Sequence, residues 1–129
     1  MIWALILTAI IAYLLGSISF SIIFTKKFAW FDVRQKGSGN AGSTNVLRTA
    51  GKKPAILTLI CDVLKGVVAV LVAFLMGKIA NADVWNSALL IQVAGVCVVL
   101  GHTFPIFFGF KGGKGVATSL GILLMTNWQ

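Results

Sequence analysis

Glutamate is missing from this chain, and aspartate occurs only at Asp32, Asp62 and Asp83. His102 is the sole histidine, and Cys61 and Cys97 are the two cysteines. No cluster among these residues has metal-ligand spacing, no GxSxG turn offers a serine nucleophile, and neither thiol stands beside the histidine in sequence. The expectation is therefore no metal and no cofactor. Any reaction would rest on binding, orientation and charge stabilisation. Both cysteines lie in apolar runs without CxxC or Cys/His spacing, which predicts buried small hydrophobes.

Charge as a whole is scarce. Charged residues make up 11% of the chain against 58% hydrophobic, and the mean hydropathy is +0.96. Those values exclude an ordinary soluble globule and point to a membrane protein. A spanning helix needs about 20 mainly apolar residues, because lipid offers no partner for backbone N–H and C=O groups. Residues 3–24 carry no charge, 54–77 are interrupted only by Asp62 and Lys65, and 84–100 are again free of charge. Residues 116–129 begin a fourth run. The first run lacks a basic leader and a small-residue cleavage site, so it is expected to remain as a helix. The predicted fold is all-α: a polytopic integral membrane helix bundle with three full spans plus the start of a fourth. Residues 1–129 form a single membrane domain, and the chain is expected to stop inside a helix as the N-terminal part of something longer.

The positive charges are distributed unevenly. Lys26, Lys27, Arg34, Lys36, Arg48, Lys52 and Lys53 all lie between the first two runs, whereas Lys78 and Asp83 alone lie between the second and third. Lys111 and Lys114 follow the third. The positive-inside rule then places the N-terminus outside and both glycine-rich connections in the cytoplasm. Small residues spaced by four, Ala12/Gly16, Ser17/Ser21 and Ala69/Ala73/Gly77, predict close helix packing in lipid.

GSGNAGSTNVLR, residues 37–48, matches the GxGxxG pattern of dinucleotide loops. That motif needs a strand before it, and an acid about 20 residues on at a strand end; Asp62 is suitably distant but falls inside an apolar run. What remains is an anion nest. Gly37, Gly39 and Gly42 allow backbone N–H groups to converge, Ser38, Asn40, Thr44 and Asn45 add side-chain donors, and Arg48 adds a bidentate cation. FGFKGGKGVAT, residues 108–118, places Lys111 and Lys114 among Gly112, Gly113 and Gly115 just before a helix start. It is not a Walker A loop, since Gly115 stands where Ser or Thr is required. Lysines at a helix N-terminus nevertheless suit an oxyanion. Asp62 and Lys65 share a helical face and can neutralise each other as an intramembrane pair. His102, in GHTFP at the end of the third run, reads as a general base, a phosphate donor, or a capping or packing residue.

GSGNAGSTNVLR, DVLKG and GHTFPIFFGFKGGKGVAT together closely resemble the bacterial membrane acyltransferase family called PlsY, along essentially the whole chain. The resemblance implies transfer of an acyl group from acyl phosphate to sn-glycerol 3-phosphate, giving lysophosphatidic acid and phosphate, the first committed step of phospholipid synthesis in the bacterial inner membrane. It implies acyl phosphate, glycerol 3-phosphate and membrane lipid as partners, along with the enzyme that makes acyl phosphate, and no nucleic acid. Carried over by position, Ser38, His102, Lys111 and Lys114 are the expected catalytic residues. Gly37, Gly39, Asn40, Thr44, Asn45, Arg48, Gly112, Gly113 and Gly115 are the expected phosphate binders. A substrate-assisted route, in which a donor phosphate oxygen takes the glycerol hydroxyl's proton, fits the scarcity of bases. Ala41 and Ser43 depart from the family's usual proline and alanine without removing a donor. The family continues for further spans and a third motif bearing a histidine and an asparagine, so this length of chain alone is expected to be inactive. A membrane transporter or channel for phosphate-bearing anions is the alternative; it would require internal repeat symmetry and binding elements at the midplane.

Overall fold

The structure, a computed structural model, describes residues 1–126. It is helical throughout those residues: α1 (Ile2–Gly16), α2 (Phe20–Ala29), α3 (Ser43–Ala50), α4 (Lys52–Ile79), α5 (Val84–Thr103) and α6 (Val116–Thr126), with short 3-10 turns at Val33–Gln35 and Ile106–Phe108. Three helical stretches are long and apolar enough to cross a membrane: Ile2–Ala29, Lys52–Ile79 and Val84–Phe108. At about 1.5 Å per residue α5 alone covers about 30 Å, the thickness of a hydrocarbon core. The 11 described residues of α6 fall short of that length.

The first stretch is not the continuous helix that its hydropathy predicts. It breaks after Gly16 and resumes at Phe20. In an unbroken helix the Gly16 and Ile18 carbonyls would pair with amides four residues on. Here both accept from the Lys65 ammonium of α4, at 3.1 Å each. The break is thus the counterpart of a buried cation, a partner no hydropathy window can register.

Local signals set the other boundaries. Pro54 lies in the first turn of α4, where its missing N–H costs nothing. Asp83 caps α5 by accepting from the Asn86 amide at 2.8 Å, and Pro105 follows its end.

Packing is inverted relative to a soluble protein. Ala4, Ala12, Ala69, Ala73 and Ala94 are buried, while Ile6, Leu71, Leu75, Val96 and Leu123 are exposed, as expected where lipid is the solvent and close backbone approach holds helices together. A Cβ on Gly16 would stand 2.0 Å from the Val98 carbonyl oxygen, and one on Gly101 2.2 Å from that of Tyr13, so α1 and α5 cross backbone to backbone. Gly66 and Gly121 perform the same service between α4 and α6. Cys61 and Cys97 are free and only half-buried, which corrects their expected full burial: helix exteriors here face lipid, so an apolar run does not imply an interior position.

A second core of Ile22, Val33, Ala41, Val46 and Ala55 lies beneath the first glycine-rich loop. The Ser21 hydroxyl donates to Ala41 O across 2.9 Å. Arg34 Nη1 donates to Phe108 O and to Lys111 O. Both glycine-rich loops therefore sit at the same end of the bundle.

Candidate functional site

Between the two loops lies a cavity of about 650 Å³. Ser38, Asn40, Thr44 and Arg48 enter it from the first loop and α3, with Asn45 buried in its lining, and Lys114 and Gly115 from the second loop. Asp62 and His102 form its membrane-side floor, and Leu59, Val116, Ala117 and Leu120 make an apolar wall. No strand occurs among the described residues, so GSGNAG is not a dinucleotide turn. It leads directly into α3, and the N-terminal residues of α3 and α6 both border the cavity. Helix N-termini present unpaired amides and positive dipole ends. Arg48 and Lys114 add two cations that take no hydrogen-bond or ion-pair partner among the described residues. The arrangement suits one or two phosphate-sized anions, with an apolar substituent lying along the wall.

The expected residues separate into those that face this space and those that build it. Asn45 belongs to the second group and is 2% exposed. Its Nδ2 donates to the carbonyls of Val33, Lys36 and Asn40 at 3.0, 2.9 and 3.0 Å, and its Oδ1 accepts from the Ser38 amide at 3.1 Å. With every donor spent on backbone, Asn45 shapes the loop and has no hydrogen left for a phosphate. Gly37, at φ +57°, closes against that same amide: a Cβ there would lie 2.2 Å from Asn45 Oδ1. Gly37, Gly39, Gly112 and Gly113 are not among the lining residues, and Gly112 packs its Cα against the His102 carbonyl.

Lys111 is the clearest displacement from expectation. It lies outside the cavity, in a separate cleft with Lys26, Asp32, Arg34 and Phe107. Arg34 pins the backbone here through its bonds to Phe108 O and Lys111 O. Arg34 itself carries no expectation from sequence reading, although DVR contains its signal. Asp32 caps the 3-10 turn by accepting from the Arg34 amide at 2.9 Å, and the two side chains pair at 2.7 Å. The guanidinium holds the Asp32 carboxyl below its ordinary range, and Asp32 raises Arg34 in turn. Arg34 is a latch between the two loops.

Below the cavity, Lys65 is 4% and His102 5% exposed. Lys65 Nζ lies 3.3 Å from Asp62 Oδ1 and 2.7 Å from His102 Nδ1. Sequence spacing places Asp62 beside Lys65; only the folded bundle brings His102 to them.

Residues 6–129 match the family model described as glycerol-3-phosphate acyltransferase. A glycerol-3-phosphate acyltransferase of Clostridioides difficile is 51% identical over 126 residues, covering 98% of this chain and 60% of its own length. One from Pseudomonas fluorescens is 52% identical over 118 residues, covering 92% and 58%. The crystal structure of PlsY (YgiH), an integral membrane glycerol 3-phosphate acyltransferase, in its glycerol 3-phosphate form superposes with a TM-score of 0.77 at 46% identity, over 93% of this chain and 56% of that one. Its lysophosphatidic acid form gives 0.73 at 44% identity, over 93% and 55%. The chain thus spans somewhat over half the length of the proteins it matches. Sequence match and superposition agree, and the chain belongs to the glycerol-3-phosphate acyltransferase family as a multi-pass membrane protein.

Proposed function

We propose that this chain forms the substrate-binding part of an enzyme that moves an acyl group from acyl phosphate to sn-glycerol 3-phosphate, releasing lysophosphatidic acid and inorganic phosphate. The observation that carries the reading is the cavity itself: two helix N-termini, Arg48 and Lys114 converge beside an apolar wall. The relatives crystallised in glycerol 3-phosphate and lysophosphatidic acid forms support the acceptor and the product.

Acyl phosphate is already activated, so the protein needs no covalent nucleophile. The glycerol hydroxyl oxygen attacks the acyl carbonyl, the C–O bond to phosphate breaks, and the hydroxyl proton passes to an oxygen of the departing phosphate. Arg48, Lys114, Ser38, Thr44 and the loop amides hold the two phosphates in line and offset charge as it develops. Leu59, Val116 and Leu120, exposed on the bundle surface, receive the acyl chain from the lipid side. Charge asymmetry supports a cytoplasmic position for this face and an outside position for the N-terminus, in a bacterial inner membrane. There the chain meets the enzyme that supplies acyl phosphate.

Vesicles carrying the full-length gene product should convert labelled glycerol 3-phosphate to lysophosphatidic acid with acyl phosphate and not with acyl-CoA. Uptake of label without product would overturn the acyltransferase reading in favour of transport.

A further inference from the structure

We propose that Lys65 is a positioning residue that locks His102 in the tautomer carrying its proton on Nε2, so that His102 serves the cavity as a hydrogen-bond donor and not as a base. Lys65 Nζ has three acceptors within hydrogen-bond distance: Gly16 O and Ile18 O at 3.1 Å, and His102 Nδ1 at 2.7 Å. The carbonyls can only accept, which commits two hydrogens. Asp62 Oδ1, at 3.3 Å, takes no hydrogen bond among the described residues and acts as counter-ion. A neutral amine would leave that carboxylate buried with no cation nearer than His102 Nδ1, at 3.9 Å, the costlier arrangement in a low-dielectric interior. The nitrogen is therefore an ammonium, and its third hydrogen goes to Nδ1. An imidazole accepting at Nδ1 carries its proton on Nε2.

The second loop leaves room for that proton. A Cβ on Gly113 would stand 2.5 Å from Nε2 and 2.9 Å from Ala41 O, so glycine at this position keeps the ring's free edge clear between the two loops. Nε2 has no protein partner among the described residues, and His102 borders the cavity together with Arg48 and Lys114. An N–H at that edge suits a phosphate oxygen or the oxyanion formed as the acyl carbonyl is attacked. Identifying that oxyanion rests on the proposed reaction; the tautomer does not.

Two measurements test this in the full-length gene product. The first is nitrogen NMR of histidine-labelled protein in nanodiscs, with the His102 signals assigned by their loss in His102→Gln. The expected spectrum shows a bare Nδ1 and a protonated Nε2 near neutral pH, and the Nε2 signal moves when glycerol 3-phosphate is added. In Lys65→Met the preference for that tautomer should disappear. A protonated Nδ1, or a wild-type tautomer kept in Lys65→Met, overturns the proposal. The second compares His102→Gln, whose amide can donate near the Nε2 position but cannot act as a base, with His102→Leu. Turnover in Gln should stay within roughly tenfold of the parent, while Leu loses roughly 10²-fold or more, as for removal of one oxyanion donor. Equal losses in the two variants would make His102 a base and overturn the proposal. If the parent protein makes no lysophosphatidic acid, the proposed reaction falls while the spectrum still decides the tautomer.

Discussion

Replacing Asn45 with alanine should open the first glycine-rich loop without unfolding the bundle. The side chain supplies two N–H hydrogens shared among the Val33, Lys36 and Asn40 carbonyls, and one oxygen that accepts from the Ser38 amide. Counting three effective bonds at about 1 kcal/mol net each gives about 3 kcal/mol. A local opening made easier by that amount raises amide exchange about 100-fold, at about 1.4 kcal/mol per factor of ten. The Ser38 amide is the sensitive reporter, because it loses its acceptor directly. Amides in the middle of α4 should be unaffected, since exchange there follows a different opening. Asn45→Asp should be at least as severe: the acceptor survives, but a charged oxygen replaces the donor facing three carbonyls. Hydrogen exchange by mass spectrometry in detergent would read both variants. Protection of residues 36–42 within threefold of the parent in Asn45→Ala would refute the structural role assigned to this amide.

Other outcomes follow from the same geometry. Arg48→Ala and Lys114→Ala should each abolish measurable turnover while membrane insertion is unchanged, whereas Lys111→Ala, in its separate cleft, should keep most activity; steady-state kinetics of the three variants check this. Gly101→Ala forces apart backbones that leave 2.2 Å for a Cβ and should cost about 1–3 kcal/mol. Gly109→Ala meets no atom within 4 Å and should cost only the left-handed strain, about 1–2 kcal/mol; thermal melts in one detergent compare them. The Asp32–Arg34 latch has a depressed carboxyl, so its contribution is fully present above the ordinary aspartate value of about 3.9 and is lost as pH falls below it through the folded value. Exchange at residues 108–111 should therefore rise only in acid, and Arg34→Ala should remove that pH dependence.

The architecture was legible where a single segment decides the outcome. Length and hydropathy mark the membrane-crossing stretches, glycine and donor density mark both loops, and charge asymmetry pairs them on one face. What was hidden depends on partners far away in the chain. The gap between α1 and α2 exists because Lys65, nearly fifty residues later, takes two of its carbonyls. Lys111 and Lys114 are indistinguishable in FKGGKG, yet the fold places them in different clefts, with Arg34 bonded to the backbone at Phe108 and Lys111 beside the first. Asn45 resembles a ligand donor in GSGNAGSTN, yet a buried amide within reach of three loop carbonyls satisfies them first. Gly16 is marked as a close-packing position by its spacing from Ala12, whereas its counterpart Gly101 shows itself only as a contact in the fold.

The three-cornered bonding of Lys65 also bears on the order in which the protein assembles. Its carbonyl acceptors belong to the first stretch and its imidazole acceptor to the third, so in chain order α4 reaches the bilayer before α5 can bring that imidazole beside it. During that interval Asp62, one turn away on the same helix, is the only anion able to travel with it. The carboxylate then acts as an escort: it lowers the cost of carrying an ammonium into lipid, about 2.5–3.5 kcal/mol for a charge near a helix centre. Its oxygen gives up first claim on the ammonium once α5 arrives.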